Sequence, residues 1–99
     1  MKPDDFSGFL IAKSATVEGR VQGVGFRWSA IEEARRLHLS GWIRNADDGS
    51  VETYFEGSEA AVDAFIAWLR KGPGGARVDA VTFRSAIPTG AYRGFVVEP

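Results

Sequence analysis

SATVEGRVQGVGFRWSAIEEARRL, residues 14–37, carries two hydrophobic rhythms in succession, and the change between them sets the fold. Over residues 14–21, Ala15, Val17 and Gly19 share one face while Ser14, Thr16, Glu18 and Arg20 share the other, the two-residue period of a strand. Gln22-Gly23-Val24-Gly25 follows as a glycine-rich turn. From Phe26 the period lengthens. Phe26, Ala30, Ala34 and Leu37 fall at spacings of four, four and three, and Ile31 widens the stripe. That pattern predicts a helix over 26–37, with Glu32, Glu33, Arg35 and Arg36 in solvent. Arg35, Arg36 and His38 lie at its end, where positive charge suits the helix dipole.

The rest of the chain completes the unit. Residues 40–45 and 51–56 read as strands joined by Asp47-Asp48-Gly49, a hairpin in which Gly49 tolerates positive φ. Ser58 is the expected N-cap of a second helix, with Glu59 in its first turn. Ala61, Val62, Phe65, Ile66 and Leu69 form its apolar stripe, and Gly72-Pro73 stops it. A strand over 77–85, a loop from Ile87 to Gly90 and a short strand over 93–97 end the sequence. The order β-α-β-β-α-β plus a terminal strand predicts an α+β protein of the ferredoxin-like α/β-plait class, an antiparallel sheet with both helices on one face. Many functions share that architecture, so the fold alone decides little. Residues 1–12 read as an extension, mobile over its first five or so residues, or for Phe9 to Ile11 a lead into the first strand; residues 13–98 read as one domain.

Composition narrows the chemistry. The 99 residues carry a net charge of −1, with no basic excess to suggest nucleic acid and no acidic tail. Without cysteine there is no disulfide, thiol nucleophile or zinc–thiolate site, and one histidine, His38, rules out any pair of imidazoles. Phe9-Leu10-Ile11-Ala12 is too short an apolar run for a membrane span or signal-peptide core. The expectation is a cytoplasmic monomer with no metal, no cofactor and no membrane partner. Its stability then rests on packing, for which three Trp, seven Phe and two Tyr provide area.

Two segments carry candidate chemistry. Gly19-Arg20-Val21-Gln22-Gly23-Val24-Gly25-Phe26-Arg27 joins a strand to a helix start. Its glycines let an anion approach the backbone, the first helical N–H groups lack internal partners, and the planar fork of Arg27 can grip two phosphate oxygens. The same pattern also serves as a plain strand–helix connector. It is neither a Walker A loop, since no Gly-Lys-Ser/Thr follows, nor a dinucleotide fingerprint, since the glycine spacing differs. In the second segment, Gly41-Trp42-Ile43-Arg44-Asn45-Ala46-Asp47-Asp48-Gly49-Ser50-Val51, Asn45 reads either as a turn residue or as an amide that orients a water. Asp47 and Asp48 read as turn residues, His38 as a dipole partner, and Trp28, Trp42 and Trp68 as core or groove-lining aromatics.

Together the two segments, in this order and on these elements, resemble the two signatures of the acylphosphatase family, and Gly72-Pro73 with Ala76-Arg77-Val78 is also similar. The resemblance covers roughly residues 13–98. It implies the α/β plait and hydrolysis of the carboxyl–phosphate anhydride of small acyl phosphates, without metal. It implies that Gly19, Arg20, Val21, Gln22, Gly23, Val24 and Gly25 cradle the phosphoryl group with Arg27, and that Asn45 positions the attacking water. His38 departs from the family, which commonly has glycine at this helix end, and residues 1–12 are a second departure. Two other readings compete. A non-catalytic module binding phosphate or an acyl phosphate has no need of a water-orienting amide. An RNA-binding plait would display aromatic and basic residues on its open face, where Tyr54 is flanked by Glu52 and Glu56.

Overall fold

A computed structural model describes residues 10–99, so the mobility expected for the first residues lies outside what it covers. The elements are β1 (Ile11–Arg20), α1 (Phe26–Arg36), β2 (Ser40–Asn45), β3 (Val51–Gly57), α2 (Glu59–Lys71), β4 (Arg77–Ala86) and β5 (Phe95–Val97). β1 starts at Ile11, three residues before the alternation becomes readable, because Ile11 and Ala12 already pair with Gly57 and Glu56 of β3. The strands form one sheet in the order β4-β1-β3-β2-β5. β1 lies antiparallel to β3 and β4, and β2 antiparallel to β3, as the plait requires.

The expectation of a wholly antiparallel sheet needs one correction: β5 runs parallel to β2. β4 occupies one edge, so the chain must cross to the only other free ladder, that of β2. It crosses at the end of the sheet where β4 finishes and β2 begins, and therefore enters β5 in the direction of β2. A buried carboxylate holds this crossing: Glu56 accepts hydrogen bonds from Thr89 N (3.0 Å), Gly90 N (3.1 Å) and the Tyr54 hydroxyl (2.7 Å).

Both helices lay their apolar stripes on one face and share one core. Phe26, Ala30, Ile31 and Ala34 come from α1, and Val62, Phe65, Ile66 and Leu69 from α2. Phe65 sits at the centre, edge-on to Phe55 (4.9 Å between centroids) and Phe95 (5.7 Å). Burying each such ring contributes about 1.5–3 kcal/mol, so the two-layer arrangement follows from these stripes. α1 ends in a Schellman turn: Leu39 N donates to Ala34 O (2.9 Å) and His38 N to Arg35 O (3.0 Å). His38 takes the left-handed position with φ 61°, alone among the described non-glycine residues.

Candidate active site

The connector between β1 and α1 is pinned at both ends. Val21 is buried in the core, and Phe26 begins the apolar stripe of α1. Between them Gly23 and Gly25 adopt φ of 76° and 79°, which L side chains rarely take, and a Cβ on either would meet no neighbouring atom. The loop thus faces open space with its backbone exposed. Gly25 is the N-cap of α1 and offers no side-chain acceptor. The first intrahelical bond is Ser29 N to Gly25 O at 3.0 Å, so the N–H groups of Phe26, Arg27 and Trp28 have no partner within the helix.

Gln22 does something the sequence did not suggest. Its Nε2 donates to Ala46 O (2.8 Å) and Ser50 O (2.9 Å), tying the loop to the β2–β3 turn. That turn is itself braced. Ala46 N donates to Ser50 O, and the hydroxyl and backbone N–H of Ser50 both donate to Asp48 Oδ1 (2.6 and 2.9 Å). Those two donors, the hydroxyl first, hold the Asp48 carboxyl below its ordinary range. Asp48 therefore serves the turn, as its place in the sequence suggested. Asn45, the last residue of β2, is carried on this braced hairpin.

The two segments meet around a cavity of about 220 Å³. Gly23, Gly25, Arg27 and Trp28 line it from the loop and α1, Asn45 from β2 and Val97 from β5, with buried Val21 and Phe26 beneath. Arg27 forms no ion pair with any carboxylate among the described residues. Asn45 Oδ1 is the one buried side-chain polar atom among the described residues with no hydrogen-bond partner. An orphan of this kind costs about 1–3 kcal/mol, so its retention on a residue that lines this cavity together with Arg27 needs a reason outside the fold.

Not every sequence candidate lines this cavity. Gly19 lies within β1 at a register shift against β4, where a Cβ would collide with the Arg77 carbonyl; close strand approach accounts for that glycine. Arg20 is exposed at the end of β1 opposite Arg77, and Val24 is half-buried away from the lining. His38 lines a separate open groove of about 530 Å³ at the far end of α1, with Arg35, Tyr92 and Arg93, none of which belongs to the two motifs. Sequence reading missed Val97 and the bracing by Gln22. The signal for Trp28 was present: it follows Arg27 and lies off the apolar stripe of its helix.

Comparison with known proteins supplies independent findings. The family model described as Acylphosphatase matches residues 13–97. A Roseiflexus sp. (strain RS-1) protein named Acylphosphatase is 51% identical over 81 residues, covering 82% of this chain and 87% of that protein. One of the same name from Pseudomonas paraeruginosa (strain DSM 24068 / PA7) is 51% identical over 87 residues, 88% of this chain and 94% of its own. Among solved structures, the crystal structure of acylphosphatase from Bacillus subtilis superposes with a TM-score of 0.86 at 33% identity, covering 92% of this chain and all of that one. A match of this extent, over the segments that build the cavity and the sheet that carries them, leaves one assignment: the chain belongs to the acylphosphatase family.

Proposed function

We propose that this chain is an acylphosphatase, a hydrolase of small acyl phosphates, in which the loop ending at Arg27 holds the phosphoryl group and Asn45 orients the attacking water. The observation that carries the site assignment is that Asn45 and Arg27, from separate segments of the sequence, line the same cavity. The Asn45 amide can donate to or accept from a water, and the N–H groups at the start of α1 and the Arg27 guanidinium suit a phosphoryl dianion.

The reaction asks little more of the protein. Water forms a bond to phosphorus, and the bond from phosphorus to the acyl oxygen breaks. One water proton passes to a phosphoryl oxygen, giving dihydrogen phosphate and a carboxylate. The leaving carboxylate has a conjugate acid with pKa of roughly 4, like an Asp or Glu side chain, so it departs as an anion without a general acid. Positioning and fixed electrostatics then supply the rate. The Gln22 bridge supports this reading, because it fixes the spacing between cradle and water-bearing amide through two hydrogen bonds. Gly19, Arg20 and Val24 take outer roles here: Gly19 lets β1 lie close against β4, Val24 shapes the loop, and Arg20 attracts anions. A cytoplasmic monomer with a small-molecule partner suits such chemistry and a mixed-charge surface of net charge −1.

The deciding experiment is hydrolysis of benzoyl phosphate in EDTA by the wild type and by Arg27→Ala. Chelator-resistant turnover that is lost in the variant is expected. A well-folded wild type without turnover would replace this reading with a phosphate-binding module.

A further inference from the structure

We propose that Trp28 and Val97 form a seat for the acyl group, so that the preferred substrates are acyl phosphates with an apolar, and best an aromatic, acyl part. The proposal rests on the acylphosphatase reading and adds the substrate class. Trp28 is 68% exposed and Val97 44% exposed, yet both line the cavity that holds Arg27 and Asn45.

The other two tryptophans show what a structural role looks like here. Trp68 stacks on Phe65 and meets Phe26 at 5.4 Å, within the core packing. Trp42 carries the Arg44 guanidinium 5.1 Å above its ring. Trp28 enters no aromatic or cation–π pair among the described residues and sits off the buried stripe of α1. An indole left in water in the lining of a polar cradle, with an exposed valine in the same lining, is a contact surface awaiting an apolar partner.

The reacting group says which partner. With the phosphoryl group held by Gly23, Gly25 and Arg27, the substituent on the carboxyl carbon is left to the rest of the lining, whose exposed apolar side chains are Trp28 and Val97. A flat aromatic ring gains the most from contact with these, a methyl group little. An acyl group with its own charge finds no ionic partner among the lining residues apart from Arg27, which the phosphoryl group occupies.

Steady-state kinetics on benzoyl and acetyl phosphate test this in the wild type, Trp28→Ala and Trp28→Phe. The wild type should favour benzoyl phosphate. In Trp28→Ala the benzoyl-to-acetyl ratio of kcat/KM should fall about tenfold, the low end for one apolar contact because this wall is open. The loss should appear in KM for benzoyl phosphate, and Trp28→Phe should restore most of the ratio. Inhibition by inorganic phosphate should stay near its wild-type constant in both variants. An unchanged ratio, whether through equal losses on both substrates or none, would overturn the acyl seat while leaving the acylphosphatase reading intact. A weakened phosphate inhibition that parallels the loss would assign Trp28 to the phosphate cradle instead. A wild type that turns over neither substrate would remove both proposals together.

Discussion

The two helices begin in opposite ways. At α2, Ser58 is extended (φ −67°, ψ 157°), its Oγ accepts from Ala61 N at 3.2 Å, and Glu59 places negative charge in the first turn. At α1, Gly25 is left-handed, no side chain caps the helix, and the first turn holds no acid. It holds Arg27 instead, a positive charge at the positive end of the dipole. By the rules of helix stability α2 is begun well and α1 badly. The same backbone groups occur at both ends, so the difference lies in what is meant to satisfy them. The chain satisfies the start of α2. On the proposed reading, the start of α1 offers its N–H groups and its cation to the substrate phosphate.

Substitutions at α1 should therefore harm activity and spare stability, and those at α2 the reverse. The largest effect is expected at Arg27. Arg27→Lys keeps the charge and removes the planar fork, and it should lower kcat/KM for benzoyl phosphate by about 10³-fold, in the range found where a guanidinium stabilises a transferring phosphoryl group. Urea unfolding should show a midpoint unchanged from the wild type. A lysine variant of near-wild-type activity would show that charge alone is needed and would weaken the contrast between the two helix starts.

Asn45→Ala comes next. Losing a group that acts mainly in the transition state should cut kcat by about 10²-fold while inorganic phosphate still inhibits at its wild-type concentration. Its stability effect sharpens the test. The alanine removes a buried acceptor that no protein donor satisfies, so urea unfolding should find the variant at least as stable as the wild type. A variant that loses stability and phosphate binding together would make Asn45 a turn residue. At α2, Ser58→Ala removes the cap of a helix remote from the cavity and should cost about 1 kcal/mol of stability with kcat unchanged.

What the sequence disclosed and what it withheld divide along the same physical line. The Ser58 cap, the Gly72 stop, the Asp47-Asp48-Gly49 turn and the helical stripes are local: each is set by residues within a few positions, and each stands where the sequence placed it. The parallel pairing of β5 was hidden because it depends on which sheet edge is left free after the other four strands pair. The candidate site was half visible. Arg27 and Asn45 stand out by type and position, but the Gln22 bridge spans 24 and 28 residues and no local pattern encodes it. Val97 was equally silent: β5 brings it to the cavity only by crossing the sheet to reach β2. At Gly19 the sequence suggested only anion binding, and the close contact with β4 that requires a glycine there was hidden because it joins residues far apart in the chain.

The other end of α1 gives the smallest prediction and tests whether neglect of helix stability is confined to the anion-facing start. His38 holds φ 61° in the Schellman turn, a conformation that costs a residue with a Cβ about 1–2 kcal/mol and glycine nothing. The turn keeps both its hydrogen bonds with any residue, because they come from the backbone of His38 and Leu39. Buried Leu39 anchors the exit against Gly57. Positive charge for the dipole is already present in Arg35 and Arg36 of the last turn. His38→Gly relieves the strain but loosens the unfolded chain, which returns part of the gain, leaving a net stabilisation of about 0.5–1 kcal/mol. In a domain of this size that raises Tm by about 2–8 °C, measurable by circular dichroism, with benzoyl phosphate turnover unaffected. A lower Tm would mean that the imidazole earns its place through contacts in the groove with Arg35, Tyr92 and Arg93. The far end of α1 would then also sacrifice helix geometry for a side chain, and the division between a start open to ligand and a remainder optimised for folding would not hold.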